Sequence, residues 1–185
     1  MKNKPIIIVA GEPYSVFLEV FFKSLKSRKV YPLNKPILLI CSLDLAKKQM
    51  RKLNYRFKFN IVKINEISKI TNKNNQINIF NINFKFKKIF DKISQNSNDY
   101  LNKCFFAALK IISKYNLEFL INGPISKKHF LKKKYPGMTE YFAYKTKSRD
   151  KEVMLIYGKE LSVSPITTHI PLKQIFSKIS KKKII

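Results

Sequence analysis

Short, unbroken aliphatic runs constrain this 185-residue chain more than any other feature. "PIIIVA" and "KPILLICS" are apolar at successive positions rather than at alternate ones, and "LEFLI" is interrupted only by Glu118. A strand that reads this way has to be covered on both faces. The first run stops at "GEP", a turn signal, and "YSVFLEVFFKSLKSRK" follows with Phe17, Val20, Phe21 and Leu25 at helical spacing. "LDLAKKQMRKLNY" reads as a second amphipathic helix and "FKFNIVKI" as a third strand. Strands alternating with amphipathic helices predict an α/β protein whose sheet is largely parallel.

Further on, the pattern is more mixed. "INIFNINFKFKKIF" alternates apolar residues with Asn or Lys, which predicts an exposed strand or hairpin arm between Asn-rich loops. "SNDYLNKCFFAALKIISKYN" predicts a long helix capped by Ser97 or Asn98, with Leu101, Phe105, Ala108, Leu109 and Ile112 on its apolar stripe. "LEFLI" is then a buried strand ending in "NGPISKKHF", a turn of the kind that carries ligands at the carboxyl end of a parallel sheet. "YPGMTEYFAYK" starts another helix, with Thr139 as its candidate cap. "EVMLIYG" and "LSVSPITT" predict neighbouring strands joined by "GKE". Pro171 opens a last helix with Leu172, Ile175, Phe176 and Ile179 on its apolar side, and His169 lies in the loop before it.

Thirty-eight basic side chains against 11 acidic ones give a formal charge of +27, which raises nucleic acid or an anionic surface as a partner. The lysines are dispersed, however, and the chain is rich in Lys, Asn and Ile with only 4 Gly and no Trp, as AAA, AAT and ATT codons in an AT-rich genome would produce. A nucleic-acid surface would need basic side chains on one face with exposed aromatics between them, whereas most aromatics here fall at core-facing positions. Nucleic acid is therefore not the expected partner. Cys41 and Cys104 both sit in apolar contexts and read as buried free thiols. No apolar run approaches the length of a membrane span or a signal-peptide core, so the reading is a soluble, cytoplasmic protein. No Walker loop, G-x-G-x-x-G or zinc-type Cys/His cluster occurs.

Taken in order, "VAGEP", "NGPISKKHF…YPGMTEYFA" and "SPITTHIPLKQI" resemble the 4-hydroxythreonine-4-phosphate dehydrogenase family, commonly called PdxA. That family carries an early G-E-P turn, a T-G-P-[IV]-x-K turn followed by P-G-H-T-E-[FY], and then a T-T-H-[IL]-P-L-[RK] segment, here Thr167 to Lys173. The resemblance spans the whole chain. It implies a three-layer αβα fold like that of isocitrate and isopropylmalate dehydrogenases, with a largely parallel sheet that is incomplete at the C-terminal end. It divides the chain into a first lobe, residues 1–124, and the start of a second, residues 125–185, carrying the substrate and metal motifs. It implies a homodimer acting on a small phosphorylated hydroxy amino acid: NAD- or NADP-dependent oxidation of 4-phosphooxy-L-threonine with a divalent metal (Zn, Mg or Co), and loss of carbon dioxide from the 3-keto acid, in pyridoxal 5'-phosphate biosynthesis. The chemistry suits the residue types, because a cation can polarise the substrate hydroxyl and neutral imidazole is a common ligand for it. By the resemblance His169 is one of three metal ligands, and Thr139 and Met138 occupy substrate-binding positions. Lys127 matches the middle turn and is a weaker candidate for an anion contact.

Taken singly, each of these residues has a plainer reading. A lone loop histidine is more often solvated than ligating, Thr139 can be a helix cap, and Lys127 can be one more surface lysine. His129 matches no family ligand and reads as surface, Glu12 and Pro13 as shaping the first turn, and Glu140 as supporting a helix start. Two departures from the family pattern stand out. Met138 replaces a histidine and can offer no strong hydrogen bond, and the family's "GEPAGIGPE" reads "GEPYSVFLE". The family's other metal histidines and its nicotinamide site fall beyond Ile185, so the 185 residues alone are expected to be inactive, as a fragment or a truncated chain. A decayed family member without turnover is the alternative enzyme reading.

Overall fold

The computed structural model describes residues 4–27, 35–131, 134–149, 151–168 and 170–184. They fall into two compact units, Met1–Phe130 and Leu131–Ile185.

The first unit is built on a five-stranded sheet made of β1 (Ile6–Val9), β2 (Ile37–Cys41), β3 (Lys58–Ile61), β4 (Gln76–Asn81) and β5 (Leu120–Asn122), in the order β3-β4-β2-β1-β5. Every pairing is parallel. Parallel neighbours require crossover connections: the helices α1 (Phe17–Lys26), α2 (Leu43–Lys52) and α3 (Gln95–Tyr115) supply three, and the 3-10 helix Ile64–Lys69 lies between β3 and β4. On one sheet face Ile8, Leu39, Cys41, Ile77 and Ile79 join Leu18, Phe21 and Phe22 of α1 and Ala46 and Met50 of α2 in a single buried cluster. The alternate residues Ile7, Val9, Leu38 and Ile40, all fully or almost fully buried, project to the opposite face, and α3 packs across β1 and β2. Leu101, Phe105, Ala108 and Ile111 supply the buried stripe of α3. The unit is thus a three-layer αβα sandwich, as the alternating pattern predicts.

Helix ends follow ordinary capping chemistry. The Ser42 hydroxyl accepts from the Leu45 amide, with Asp44 in the first turn of α2 and Arg51 and Lys52 in its last. The long helix α3 begins earlier than its sequence suggests. Ser94, not Ser97 or Asn98, is its N-cap, accepting from the Ser97 amide, and Asn116 closes it in the left-handed conformation at φ 48°.

Four expectations change. β4 is not an exposed arm: it lies between β3 and β2, with Ile77, Asn78 and Ile79 buried. Its polar position is tolerated because the Asn78 amide is fully used, donating to the Ile37 and Thr71 carbonyls at 3.2 and 3.0 Å and accepting from Asn60 Nδ2 at 2.9 Å. β5 is an edge strand rather than a buried one, with Phe119 and Ile121 about half exposed. In the second unit, 151–166 forms no strand pair beyond one antiparallel bridge between Ile156 and Val163. The helix expected after Pro171 is a 3-10 turn, Leu172–Gln174, followed by the four-residue α5 (Ile175–Lys178). Leu172 and Phe176 there are more than four-fifths exposed. The remaining helix of note is α4 (Met138–Lys145).

Asn78→Ala should lower the unfolding free energy by about 1–3 kcal/mol, because it removes two part-buried hydrogen bonds to the Ile37 and Thr71 carbonyls. A urea titration reads this directly. An unchanged midpoint would mean that the Ile37 and Thr71 carbonyls find other donors.

Candidate functional site

Two of the turns singled out in the sequence meet at the carboxyl ends of neighbouring strands. β1 runs into Gly11 and Glu12, and β5 into Gly123 and Pro124. Gly123 N donates to Val9 O at 2.8 Å and Glu12 N to Pro124 O at 2.8 Å. Gly11 has φ +78°, and a Cβ there would lie 2.4 Å from Pro124 O; a Cβ on Gly123 would lie 2.1 Å from Ala10 O. Only glycine permits two backbones to pass this closely. The first turn is fixed from its other side too: Gln49, almost wholly buried on α2, donates through Nε2 to Pro13 O at 2.9 Å and to Ile89 O at 3.0 Å.

Beside this junction is a cavity of about 610 Å³, with Glu12, Tyr14, Asp91, Lys92, Ser126 and His129 in its wall. Glu12 is only 6% exposed, and neither carboxylate oxygen has a hydrogen-bond partner. Ser97 and Asn98, in the first turns of α3, are buried as well. The Ser97 hydroxyl and the Asn98 Oδ1 are also without partners, while Asn98 Nδ2 donates to the His129 carbonyl at 3.1 Å. Burial raises the Glu12 carboxyl above its ordinary value of 4.5. The Ser97 hydroxyl is near enough to favour the charged form, but the pair lacks hydrogen-bond geometry. Tyr14 is raised too, by burial first and then by the charges of Asp91 and Glu12. His129 Nδ1 lies 2.8 Å from the Ser126 hydroxyl, and the residue is exposed on the cavity rim.

The other candidates fall elsewhere. Lys127 is exposed on the single turn Lys127–Leu131 and is not part of the cavity wall. Met138 and Thr139 open α4 in the second unit and are half-buried. The N-cap of α4 is Gly137 with no side-chain capping bond, so Thr139 is not the cap. His169 lies outside the described residues. Among the described residues no three His, Cys, Asp or Glu side chains come together to hold a metal, so the implied cation has no ligand set among them. Cys41 and Cys104 are buried and free as expected; burial pushes the Cys104 thiol to about 12 and Cys41 well upward, which removes both as nucleophiles. Glu12 is the residue that sequence reasoning undervalued. Its signal was an acid directly after a fully apolar strand, in a chain with only 11 acidic residues.

A parallel sheet with helices on both faces, and a cavity beyond the carboxyl ends of its strands, defines an α/β protein of the doubly covered kind. Residues 33–185 match the family model of the pyridoxal phosphate biosynthetic protein PdxA, and the chain belongs to that family. It is 28% identical over 183 residues to the 4-hydroxythreonine-4-phosphate dehydrogenase of Sulfurihydrogenibium sp. (strain YO3AOP1), covering 97% of this chain and 54% of that protein. It is likewise 28% identical over 196 residues to the enzyme of that name from Aquifex aeolicus (strain VF5), covering 99% and 55%. Crystal structures of 4-hydroxythreonine-4-phosphate dehydrogenases share its fold: that from Klebsiella pneumoniae has a TM-score of 0.80 at 21% identity, covering 98% of this chain and 56% of that one. That from Burkholderia phymatum has a TM-score of 0.82 at 22% identity, covering 98% and 55%. The chain spans about half the length of the curated relatives it matches.

Replacing Glu12 by Gln removes a buried charge without removing volume. A carboxyl whose folded pKa is raised destabilises the fold only when ionised, so stability is intact in acid and declines as pH rises from 4.5 through the raised value. E12Q should therefore melt higher than wild type at neutral pH, with the gap closing as the pH falls toward 4.5. A less stable E12Q at neutral pH would show that the ionised carboxylate is partnered.

Proposed function

We propose that this chain serves a dehydrogenase that oxidises the 3-hydroxyl of 4-phosphooxy-L-threonine with NAD or NADP and a divalent metal, within pyridoxal 5'-phosphate biosynthesis. The observation that carries the reading is the family match over residues 33–185, which contains both "YPGMTEYF" and "TTHIPLK". Oxidation at that carbon places a carbonyl β to the carboxylate. The bond to the carboxylate then breaks, its electron pair passes toward the carbonyl, and 3-amino-2-oxopropyl phosphate remains. In this reading His169 is a metal ligand, Thr139 and Met138 touch substrate, and Lys127 is a secondary anion contact. The lobes divide near residues 124 and 125, and the working form is a cytoplasmic homodimer. The described residues contain no helix long and apolar enough to cross a membrane.

A second substrate is favoured by one specific observation. Met138 stands where the family motif has histidine, and half of this chain is 27% identical over 95 residues to the D-threonate 4-phosphate dehydrogenase of Salmonella typhimurium. That alignment covers 29% of the Salmonella protein, and its substrate is also a phosphorylated hydroxy acid.

The test is nicotinamide reduction by the complete gene product, offered each substrate in turn with and without a divalent cation. Metal-dependent turnover of 4-phosphooxy-L-threonine is expected; turnover of D-threonate 4-phosphate alone would transfer the reading to the second substrate, and neither would remove it. His169→Ala should reduce metal-dependent turnover by about 100-fold or more, since even groups behind a metal ligand cost 10–100-fold. Met138→His should lower the KM for 4-phosphooxy-L-threonine by roughly tenfold, the worth of one good hydrogen bond to a charged group. Full activity of His169→Ala, or an unchanged KM in Met138→His, would contradict these assignments.

A further inference from the structure

Resting on the dehydrogenase reading above, we propose that Asn98 is a positioning residue for that reaction. From α3 it fixes the turn that carries Lys127, and so sets where the Lys127 ammonium meets an anionic group of the substrate.

The single turn Lys127–Leu131 is too short to hold its shape unaided, because a first helical turn fixes several residues for very few hydrogen bonds. Its approach is set by the sheet: Gly123 N donates to Val9 O and Glu12 N to Pro124 O, where two glycine backbones pass in contact. Within the turn the His129 and Phe130 amides donate to Ser126 O at 3.2 and 2.8 Å, and the Ser126 hydroxyl lies 2.8 Å from His129 Nδ1. Two further anchors come from α3. Asn98 Nδ2 donates to the His129 carbonyl at 3.1 Å, and the Phe105 ring packs on the Phe130 ring with centroids 5.4 Å apart. Asn98 and Phe105 are seven residues apart, about two helical turns, and so lie on one face of α3. The helix grips the far end of the turn twice, once by an amide and once by a ring.

Asn98 is an unfavourable residue to bury for packing alone. It is 5% exposed, and its Oδ1 has no donor. A buried amide satisfied at one end only is worse than an apolar side chain of similar size. What the amide adds is direction. A ring contact tolerates sliding and rotation, whereas a hydrogen bond holds one carbonyl to a narrow range of distance and angle. The carbonyl it holds is two residues from Lys127, so the bond fixes the backbone from which Lys127 extends. The Lys127 side chain is exposed. Its ammonium is a point charge on a flexible four-carbon stem, and the protein controls it through where that stem is rooted. Phosphorylated threonine offers two anionic groups for such a contact, a carboxylate and a phosphate.

The test is a double-mutant cycle on the complete gene product, read as KM and kcat for whichever phosphorylated substrate it turns over. Asn98→Leu keeps the side-chain size and removes the donor. It should raise KM about three- to tenfold, the worth of one hydrogen bond, with kcat little changed. Lys127→Ala should raise KM at least as much. The two effects should not add: in the Lys127→Ala background, Asn98→Leu should change KM by less than about twofold, because it acts only through Lys127. A residue with a merely structural role would show its full effect in either background. Asn98→Ala repeats the cycle if leucine is not accommodated. Additive effects, or a KM unchanged by either single substitution, would overturn the inference and leave the dehydrogenase reading standing. A wild-type gene product that turns over no phosphorylated hydroxy acid would remove that reading and the inference with it.

Discussion

Everything in the first unit depends on a sheet that has to be covered on both sides. β1 and β2 are aliphatic at nearly every position, so neither face can be left to water. Parallel pairing meets that demand only if the chain returns through helices, and α1 and α2 on one face with α3 on the other are the consequence. The same connectivity brings all the strands' carboxyl ends to one edge. Glu12 and the Gly123–Pro124 turn are neighbours because β1 and β5 are neighbours. The cavity is therefore a product of topology, and its position was decided by the pairing of strands far apart in sequence.

Glu12 runs against the economy of that core. A carboxylate placed between sheet and helix, with no donor for either oxygen, is a local destabilisation that the surrounding packing has to offset. Gly11, Gly123 and Gln49 are what keep it there: two backbones in contact without side chains, and a buried amide bound to the carbonyls of Pro13 and Ile89. Glu118, bound by Lys4 and Lys35, shows what an acid does when solvent and side-chain freedom allow it. The contrast with Glu118 separates a carboxylate enclosed by the packing from one that belongs to the surface charge pattern.

The elements that were legible in the sequence are those in which one periodic signal dominates. Continuous aliphatic runs marked β1 and β2, and stripes at 3.6-residue spacing marked α1, α2 and α3. β4 was misread because alternation with Asn looks like an exposed strand. What distinguishes it is tertiary, since the Asn78 amide binds the carbonyls of Ile37 and Thr71, which sequence inspection does not bring together. β5 was misread in the opposite sense, because an aliphatic run does not reveal that it will sit at the edge. The segment 151–166 has strand-like composition but only one bridge, and its apolar side chains remain exposed. Family membership was legible from motif order, which survives at 28% identity. The Glu12 cavity was not, because its partners come from a turn after β1, a segment before α3 and a turn after β5. Only the fold assembles them.

The most direct test of this account is a carbon-13 NMR titration of the Glu12 side-chain carboxyl in the unliganded protein, with E12Q spectra to assign the resonance. Burial without a hydrogen-bond partner predicts a titration midpoint above 4.5, the ordinary glutamate value. A midpoint at or below 4.5 would mean that the carboxylate is hydrated or already paired, and the account of Glu12 as an enclosed carboxyl without a donor would fail.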